Sequence, residues 1–152
     1  MATDSEYDSG KAKVALDHAW AYFSLHATQR LQTVNFFLIA TAFLLAAFVT
    51  AIKEELHLLA ACVALLSVLI SYFFLQLEHR IRSLIKAAED AMKPLQDELA
   101  ESLEIDTLRI VSHVEESKNG EWKYSKVFRF LYRTAIAAFS LGFFYAIYAA
   151  VS

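Results

Sequence analysis

Two long apolar runs dominate the pattern of hydrophobic and polar positions along the chain. They cover residues 31–52 and 56–77, contain no Asp, Glu, Lys or Arg, and are joined by Lys53-Glu54-Glu55. Because about 20 residues of α-helix cross the hydrocarbon core of a bilayer, each run is long enough to span a membrane. The pattern therefore predicts a transmembrane helical hairpin over residues 31–77.

A third apolar block covers residues 127–151 and carries Arg129 and Arg133 near its start. Residues 134–151 contain no charged side chain. This stretch is at the short end for a span, but long basic side chains can reach back to the headgroups and extend it. We therefore expect a third transmembrane helix over residues 127–151.

The segments outside the apolar runs have helical periodicity. Residues 1–30 place Val14, His18 and Leu25 at spacings typical of one helix face, so we expect an amphipathic helix continuous with the first span. Residues 78–126 form a charged helical region in which Pro94 is expected to kink or restart the helix. Its apolar stripe requires a partner, which is either another helix of the same chain or a second copy in a coiled-coil-like contact.

Composition and charge fit an all-α integral membrane protein with three spans. The chain is 57% hydrophobic, against roughly 45–50% for soluble domains, and it has only three Gly and one Pro. Of the fourteen Lys and Arg residues only Lys53 lies within the hairpin, and the others flank it. The positive-inside rule then predicts a multi-pass inner-membrane protein with a cytoplasmic N-terminus and an external C-terminus.

The first span has one face of polar and small side chains. Gln32, Asn35, Ala42 and Ala46 lie on this face, and the rest of the span is large and apolar. Such faces commonly pack against another helix in the bilayer, but intramembrane polar groups also mark water-filled paths. We therefore assign these four residues to an oligomer contact or a pore lining, and both readings remain open.

Charged residues at the cytoplasmic ends of the spans suggest two further roles. Arg30 and Glu78 border the two halves of the hairpin, so we expect an ion pair that fixes its register. A second group of basic residues suits anionic lipid headgroups. This group comprises Arg80, Arg82, Lys126, Arg129 and Arg133.

The sequence offers no catalytic or cofactor motif. It has no His-Glu-x-x-His metal motif, no Gly-rich phosphate loop and only one cysteine, Cys62. A net charge of −3 does not favour nucleic-acid binding. We therefore predict no enzyme activity, no metal and no cofactor, with the bilayer, further copies of the chain and a cytoplasmic protein as the expected partners.

The segment Trp20-Ala-Tyr22-Phe23-Ser-Leu-His26-Ala-Thr-Gln29-Arg30, followed by Asn35-Phe36-Phe37, resembles a group of small bacterial membrane proteins. The layout of juxtamembrane helix, tight hairpin and charged helix over about residues 14–100 resembles SLATT-type effectors of prokaryotic conflict systems. It is also similar to RipA-like oligomeric membrane proteins. The resemblance implies oligomerisation and, for SLATT proteins, pore formation or membrane disruption in phage defence. The third span departs from the two-span SLATT layout.

Two functions follow as hypotheses. The first is a homo-oligomeric bacterial inner-membrane protein that forms a pore or perturbs the membrane in a phage-defence or stress system. The alternative is a membrane-anchored scaffold or regulator that docks a cytoplasmic protein through residues 78–117.

Overall fold

The computed structural model describes residues 2–116 and 124–152, which are almost entirely helical. Helix α1 covers Ala2–Lys53 and helix α2 covers His57–Leu103. A short 3₁₀ helix, Asp106–Leu108, leads into α3, Ile110–Glu116, and α4 covers Tyr124–Val151. Three of these helices, α1, α2 and α4, are long and apolar enough to cross a membrane. The prediction of an all-α membrane protein is therefore confirmed.

The chain forms two compact units. The membrane unit comprises residues 30–80 and 124–152, and the polar unit comprises residues 1–29 and 81–123. Helices α1 and α2 each contribute residues to both units, whereas α4 belongs to the membrane unit and α3 to the polar unit.

The membrane unit packs α1, α2 and α4 around a narrow core of small and aromatic side chains. Near the Lys53–Glu55 turn, Ala51 of α1, Ala60 and Ala61 of α2 and Ala146 of α4 form a buried cluster. Further along the helices, the Phe37 ring contacts the rings of Phe74 and Tyr132 at centroid distances of 5.3 and 4.6 Å. The shared core is small, since only 11% of the most apolar 18-residue stretch of α1 is buried. Most of the surface of the spans is left for lipid or for other copies.

The polar unit buries the α2 part of the apolar stripe of the charged helical region. Ile81, Ala88, Met92 and Ala100 of α2 are each at most 6% exposed, and Ala19 of α1 is 8% exposed. Within one copy the chain itself covers this part of the stripe, whereas Leu103 at the end of α2 is 53% exposed.

Helix α2 runs through Pro94 to Leu103 as one element. Of the two outcomes expected at Pro94, a kink or a restart, the restart does not occur, and the kink stays a prediction. Proline removes one backbone donor, but packing of buried side chains on both sides of it, at Met92 and Ala100, supports the continued helix. The sequence Ser-Lys-Asn-Gly at positions 117–120 predicts a turn, but these residues lie outside the described part of the chain.

Helices α1 and α2 end in the same way, at a glutamate with a left-handed backbone. Glu55 has φ 60° and Glu104 has φ 54°. In each case the next residue donates its amide to a carbonyl five residues earlier: Leu56 to Ala51 at 2.9 Å, and Ile105 to Ala100 at 3.0 Å. This is the Schellman arrangement, which usually uses glycine. It allows α2 to begin two residues after Glu55 and keeps the hairpin tight.

Candidate functional site

The end of the membrane unit away from the Lys53–Glu55 turn contains a buried ion pair between α1 and α2. The Nε of Arg30 donates to both carboxylate oxygens of Glu78, at 3.1 and 3.0 Å, and its Nη2 also contacts Oε1. The Glu78 side chain is 1% exposed and that of Arg30 is 14% exposed. Such a bidentate contact constrains both distance and angle, so it sets how the two halves of the hairpin align.

Aromatic side chains of α4 complete the surroundings of this ion pair. The Arg30 guanidinium lies over the ring of Phe128, 5.0 Å from its centroid. Tyr132 is fully buried and close enough to interact electrostatically with both charges. Within the described part of the chain, its hydroxyl has no hydrogen-bond partner. Residues from all three spans therefore meet at this point, which we call the rim cluster: Arg30, Glu78, Phe128 and Tyr132.

Sequence reasoning missed the two aromatic members of the rim cluster. The available signal was their spacing, because Phe128 and Tyr132 are four residues apart and so share one face of α4. Arg129 and Arg133 occupy the next positions, and their charge is a stronger sequence signal than the aromatic pair. An aromatic pair that alternates with an arginine pair at the start of a span indicates one buried face and one face toward the headgroups.

The polar face of the first span is exposed in the single chain. Gln32, Asn35, Ala42 and Ala46 all lie outside the protomer's own core, whereas Val34 and Phe37 of the same helix are buried. The structure thus places all four residues on the outward side of α1, available to water, lipid or another copy.

The small-residue face of α2 is used differently. Ala60, Ala64, Ser67 and Ser71 are at most 1% exposed, so the core of the protomer covers them. Each serine satisfies its own hydroxyl along the helix: Ser67 donates to the Val63 carbonyl at 2.7 Å and Ser71 to the Ser67 carbonyl at 2.8 Å. This face brings the helices of one protomer together and needs no further partner.

Helix α4 also uses its small residues to approach α1. A Cβ atom on Gly142 would lie 3.0 Å from Cζ of Phe48. Ala146, one turn further on, is completely buried. A larger residue at position 142 would push α4 away from α1, so the glycine permits the close approach of the third span.

The basic residues predicted to contact headgroups lie on two helices, Arg80 and Arg82 in the middle of α2 and the other three in the first half of α4. Arg80, Lys126 and Arg133 are exposed in the membrane unit, and Arg129 is partly exposed there. Arg82 is exposed in the polar unit. Their contact with lipid stays a prediction.

Comparison with known proteins supplies a relative and a family. The chain is 30% identical over 123 residues to CD-NTase-associated protein 19 of Escherichia coli, covering 76% of this chain and 79% of that protein. No solved structure matches the chain. This match confirms the predicted resemblance to defence-associated membrane proteins.

The second match covers almost the whole described fold. Residues 13–148, from the polar half of α1 through the third span, match the octameric membrane protein family. This match confirms the prediction of a homo-oligomeric, multi-pass membrane protein. It includes the third span, which distinguishes the chain from a two-span layout. The chain belongs to the octameric membrane protein family (8xMP).

Proposed function

We propose that eight copies of this chain assemble in the bacterial inner membrane and permeabilise it as the membrane component of a defence system. The family name supports the number of copies. The relative's name supports a functional association with a CD-NTase, which we extend to this chain as part of the proposal. The protein would act without catalysis or a cofactor, by forming a path for water and ions.

The observation that carries this proposal is the outward position of Gln32 and Asn35 on α1. Both are exposed on the protomer, in a segment whose other exposed side chains are mostly large and apolar, such as Phe36 at 65% and Phe43 at 73%. An amide left without hydrogen bonds in an apolar medium costs several kcal/mol, roughly 4–8 by transfer to cyclohexane. The two amides therefore favour water or another copy over lipid tails.

The remainder of the same face supports a path along the axis of the ring. Ala42 and Ala46 continue it toward the outer end of the span with side chains of one carbon. Small residues let neighbouring helices approach closely or leave space beside the axis. In the proposed ring this face of α1 points inward, and apolar side chains of α2 and α4 meet the lipid.

The charge distribution supports the orientation. Apart from Lys53, every Lys and Arg precedes the hairpin or follows it. By the positive-inside rule the N-terminus and the polar unit are cytoplasmic, and the Lys53–Glu55 turn and the C-terminus are external. Exposed Arg80 and Arg133 would then contact anionic headgroups of the inner leaflet, each worth about 1 kcal/mol.

Release of a small dye from liposomes that contain the full-length protein tests the pore. Gln32→Leu and Asn35→Leu are expected to reduce release, because they remove the polar groups assigned to the path. Gln76→Leu is the matched control, since Gln76 is also exposed and lies two residues from the partner of Arg30. Equal release from all three variants, or no release from an intact octamer, would refute the pore.

The alternative function is a membrane-anchored scaffold whose residues 78–117 dock a cytoplasmic protein. It is favoured by the exposed apolar side chains of α3, where Ile110 is 57% and Val114 is 52% exposed. Replacing the three spans with an unrelated oligomeric membrane anchor separates the two functions. A scaffold keeps its activity in cells after this exchange, whereas a pore loses it.

A further inference from the structure

The polar half of α1 has an apolar face that its own protomer leaves uncovered. Val14 is 68% and Leu25 is 54% exposed, and His18 and Ala21 between them are also exposed. These four residues, which we call the α1 stripe, follow one another at spacings of four, three and four. They occupy one helix face, away from the buried Ala19. The stripe lies in the polar unit and precedes the first predicted span. We therefore expect another protein surface, and not lipid, to cover it.

The spacing of the stripe continues along the sequence of the helix. Thr28, Gln32, Asn35, Ile39, Ala42 and Ala46 extend the same alternation of four and three, and every one of them is exposed. An α-helix has 3.6 residues per turn, so a repeat of seven kept over this length is typical of a helix that packs along a partner. In the sequence, the α1 stripe therefore belongs to the same seven-residue pattern as the face of the span assigned to contacts between copies.

A second uncovered apolar surface lies in the same unit. Ile110 and Val114 share one face of α3, and Ile105 in the preceding turn is 45% exposed. We call these three residues the α3 surface. It has an acidic border, since Glu101, Glu104 and Asp106 are exposed nearby in sequence and Glu115 and Glu116 end α3. By contrast, the α1 stripe begins beside the exposed Lys11 and Lys13, although the exposed Asp17 lies next to its second residue.

A closed ring requires two different surfaces on each protomer. In a cyclic assembly larger than a dimer, each copy meets one neighbour with one surface and the other neighbour with another. The polar unit has two such surfaces, both apolar at the centre, with two lysines at the start of the α1 stripe and a mostly acidic border on the α3 surface. We propose that the α1 stripe of one copy docks on the α3 surface of the next, so that the polar units form a ring of their own. The partner is a second copy of this chain, and the proposal needs the oligomer but not the pore.

The packing of α3 supports this role. Neither α3 nor the 3₁₀ helix before it contributes a buried side chain to its own protomer. The segment is held by polar contacts at its edges: Val111 donates its amide to Gln96 at 3.0 Å, and Lys93 bonds Glu115 at 2.5 Å. These contacts orient α3 and leave Ile110 and Val114 pointing away from the protomer.

Thiol cross-linking between two differently tagged full-length chains tests the contact. In a Cys62→Ala background, one chain carries Val14→Cys and the other Val114→Cys, and both are expressed together and treated in membranes with a flexible bis-maleimide. We expect a mixed cross-linked dimer. The control exchanges Val14→Cys for Lys86→Cys, which is exposed on α2 outside both surfaces and should give at most a small fraction of that product.

Two results would overturn the proposal. Cross-linking of Val14→Cys chains mainly to each other would mean that α1 meets α1. Absence of the mixed dimer in membranes that still yield an octamer by native mass measurement would mean that a different protein or no protein covers the two surfaces. Neither result bears on dye release, so the failure of this contact and the failure of the pore remain distinguishable.

Charge exchange gives a second readout. Lys13→Glu should weaken the assembly by about two- to fivefold per contact, the range for an exposed charge pair, and the loss should grow at low salt because like charges then meet. Glu104→Lys in the same chain should restore the octamer. A double variant no more stable as an octamer than Lys13→Glu alone would contradict the pairing of these borders.

Discussion

Removing one partner of the Arg30–Glu78 pair should destabilise the protein far more than removing both. Glu78→Leu leaves a guanidinium that is only 14% exposed without its carboxylate. Breaking a buried ion pair in this way costs about 3–5 kcal/mol. The lower end applies here, because Arg30 keeps the face of the Phe128 ring at 5.0 Å. We expect a loss of about 3 kcal/mol in the free energy of unfolding.

The double variant Arg30→Met with Glu78→Leu should recover most of that loss. Two apolar side chains of similar volume fill the same space and leave no charge to be solvated, and such replacements are often neutral or stabilising by about 1–4 kcal/mol. The coupling between the two sites is the quantity of interest, because it isolates the pair from the effect of each side chain alone.

Unfolding by sodium dodecyl sulfate in mixed micelles measures these free energies for the full-length protein. Arg133→Met is the matched control: it removes an exposed arginine from the same end of the membrane unit and should change stability by less than about 0.5 kcal/mol. If the double variant loses as much as the two single variants added together, the pair is not coupled. The rim cluster would then contribute packing only.

Three further predictions concern the close approach of α4, the end of α2 and the attachment of α3. Gly142→Leu should destabilise the membrane unit by about 1–3 kcal/mol, and Phe48→Ala in the same chain should relieve part of this, as measured by unfolding in mixed micelles. Glu104→Gly should stabilise the protein by about 1 kcal/mol, because glycine adopts φ 54° without a steric penalty. The hydrogen bond to Glu115 raises the pKa of Lys93 above 10.5. The contact should therefore hold below pH 10.5 and be lost as the pH rises through the raised pKa, and methyl NMR of α3 can follow this loss.

Each of these three has a control that can contradict it. Gly10→Leu, where nothing lies within 4 Å of the added Cβ, should raise stability by up to about 1 kcal/mol through helix propensity, opposite in sign to the change at Gly142. Glu101→Gly, within α2, should destabilise by about 1 kcal/mol, opposite in sign to the change at Glu104. Glu115→Gln should abolish the pH-dependent shift of α3, and a shift that persists in that variant would assign it to another group.

The spans and the meeting of Arg30 with Glu78 follow from simple features of the sequence. Continuous apolar runs cannot be exposed to water, and a turn this short forces the flanking helices to be antiparallel neighbours. Arg30 precedes Lys53 by 23 residues and Glu78 follows Glu55 by 23 residues, so the two lie at equal distances from the turn. With the same rise per residue in both helices, they reach the same depth.

The contribution of α4 could not be derived in the same way. The connection between α3 and α4 does not fix the register of the third span against the hairpin, so no residue count places Phe128 beside Arg30. No residue count gives the end of α2 at Leu103 either. Pro94 lacks a backbone donor, but α2 continues through it because buried side chains pack on both sides. The helix ends where Glu104 adopts a left-handed backbone.

Periodicity identifies a helix face, but it does not say which neighbour covers the face. The faces of α1 and α2 have similar small side chains, yet Ala60, Ala64 and Ser71 are buried in the protomer, whereas Ala42 and Ala46 are exposed. The difference lies in the polar groups. Serine hydroxyls can bond to their own helix, so a serine face packs in a dry core, but the amides of Gln32 and Asn35 need external partners. The face that stays outside the protomer is therefore the one whose polar groups cannot form all their hydrogen bonds within their own helix. In an oligomeric membrane protein, a neighbouring copy or water must supply the missing bonds.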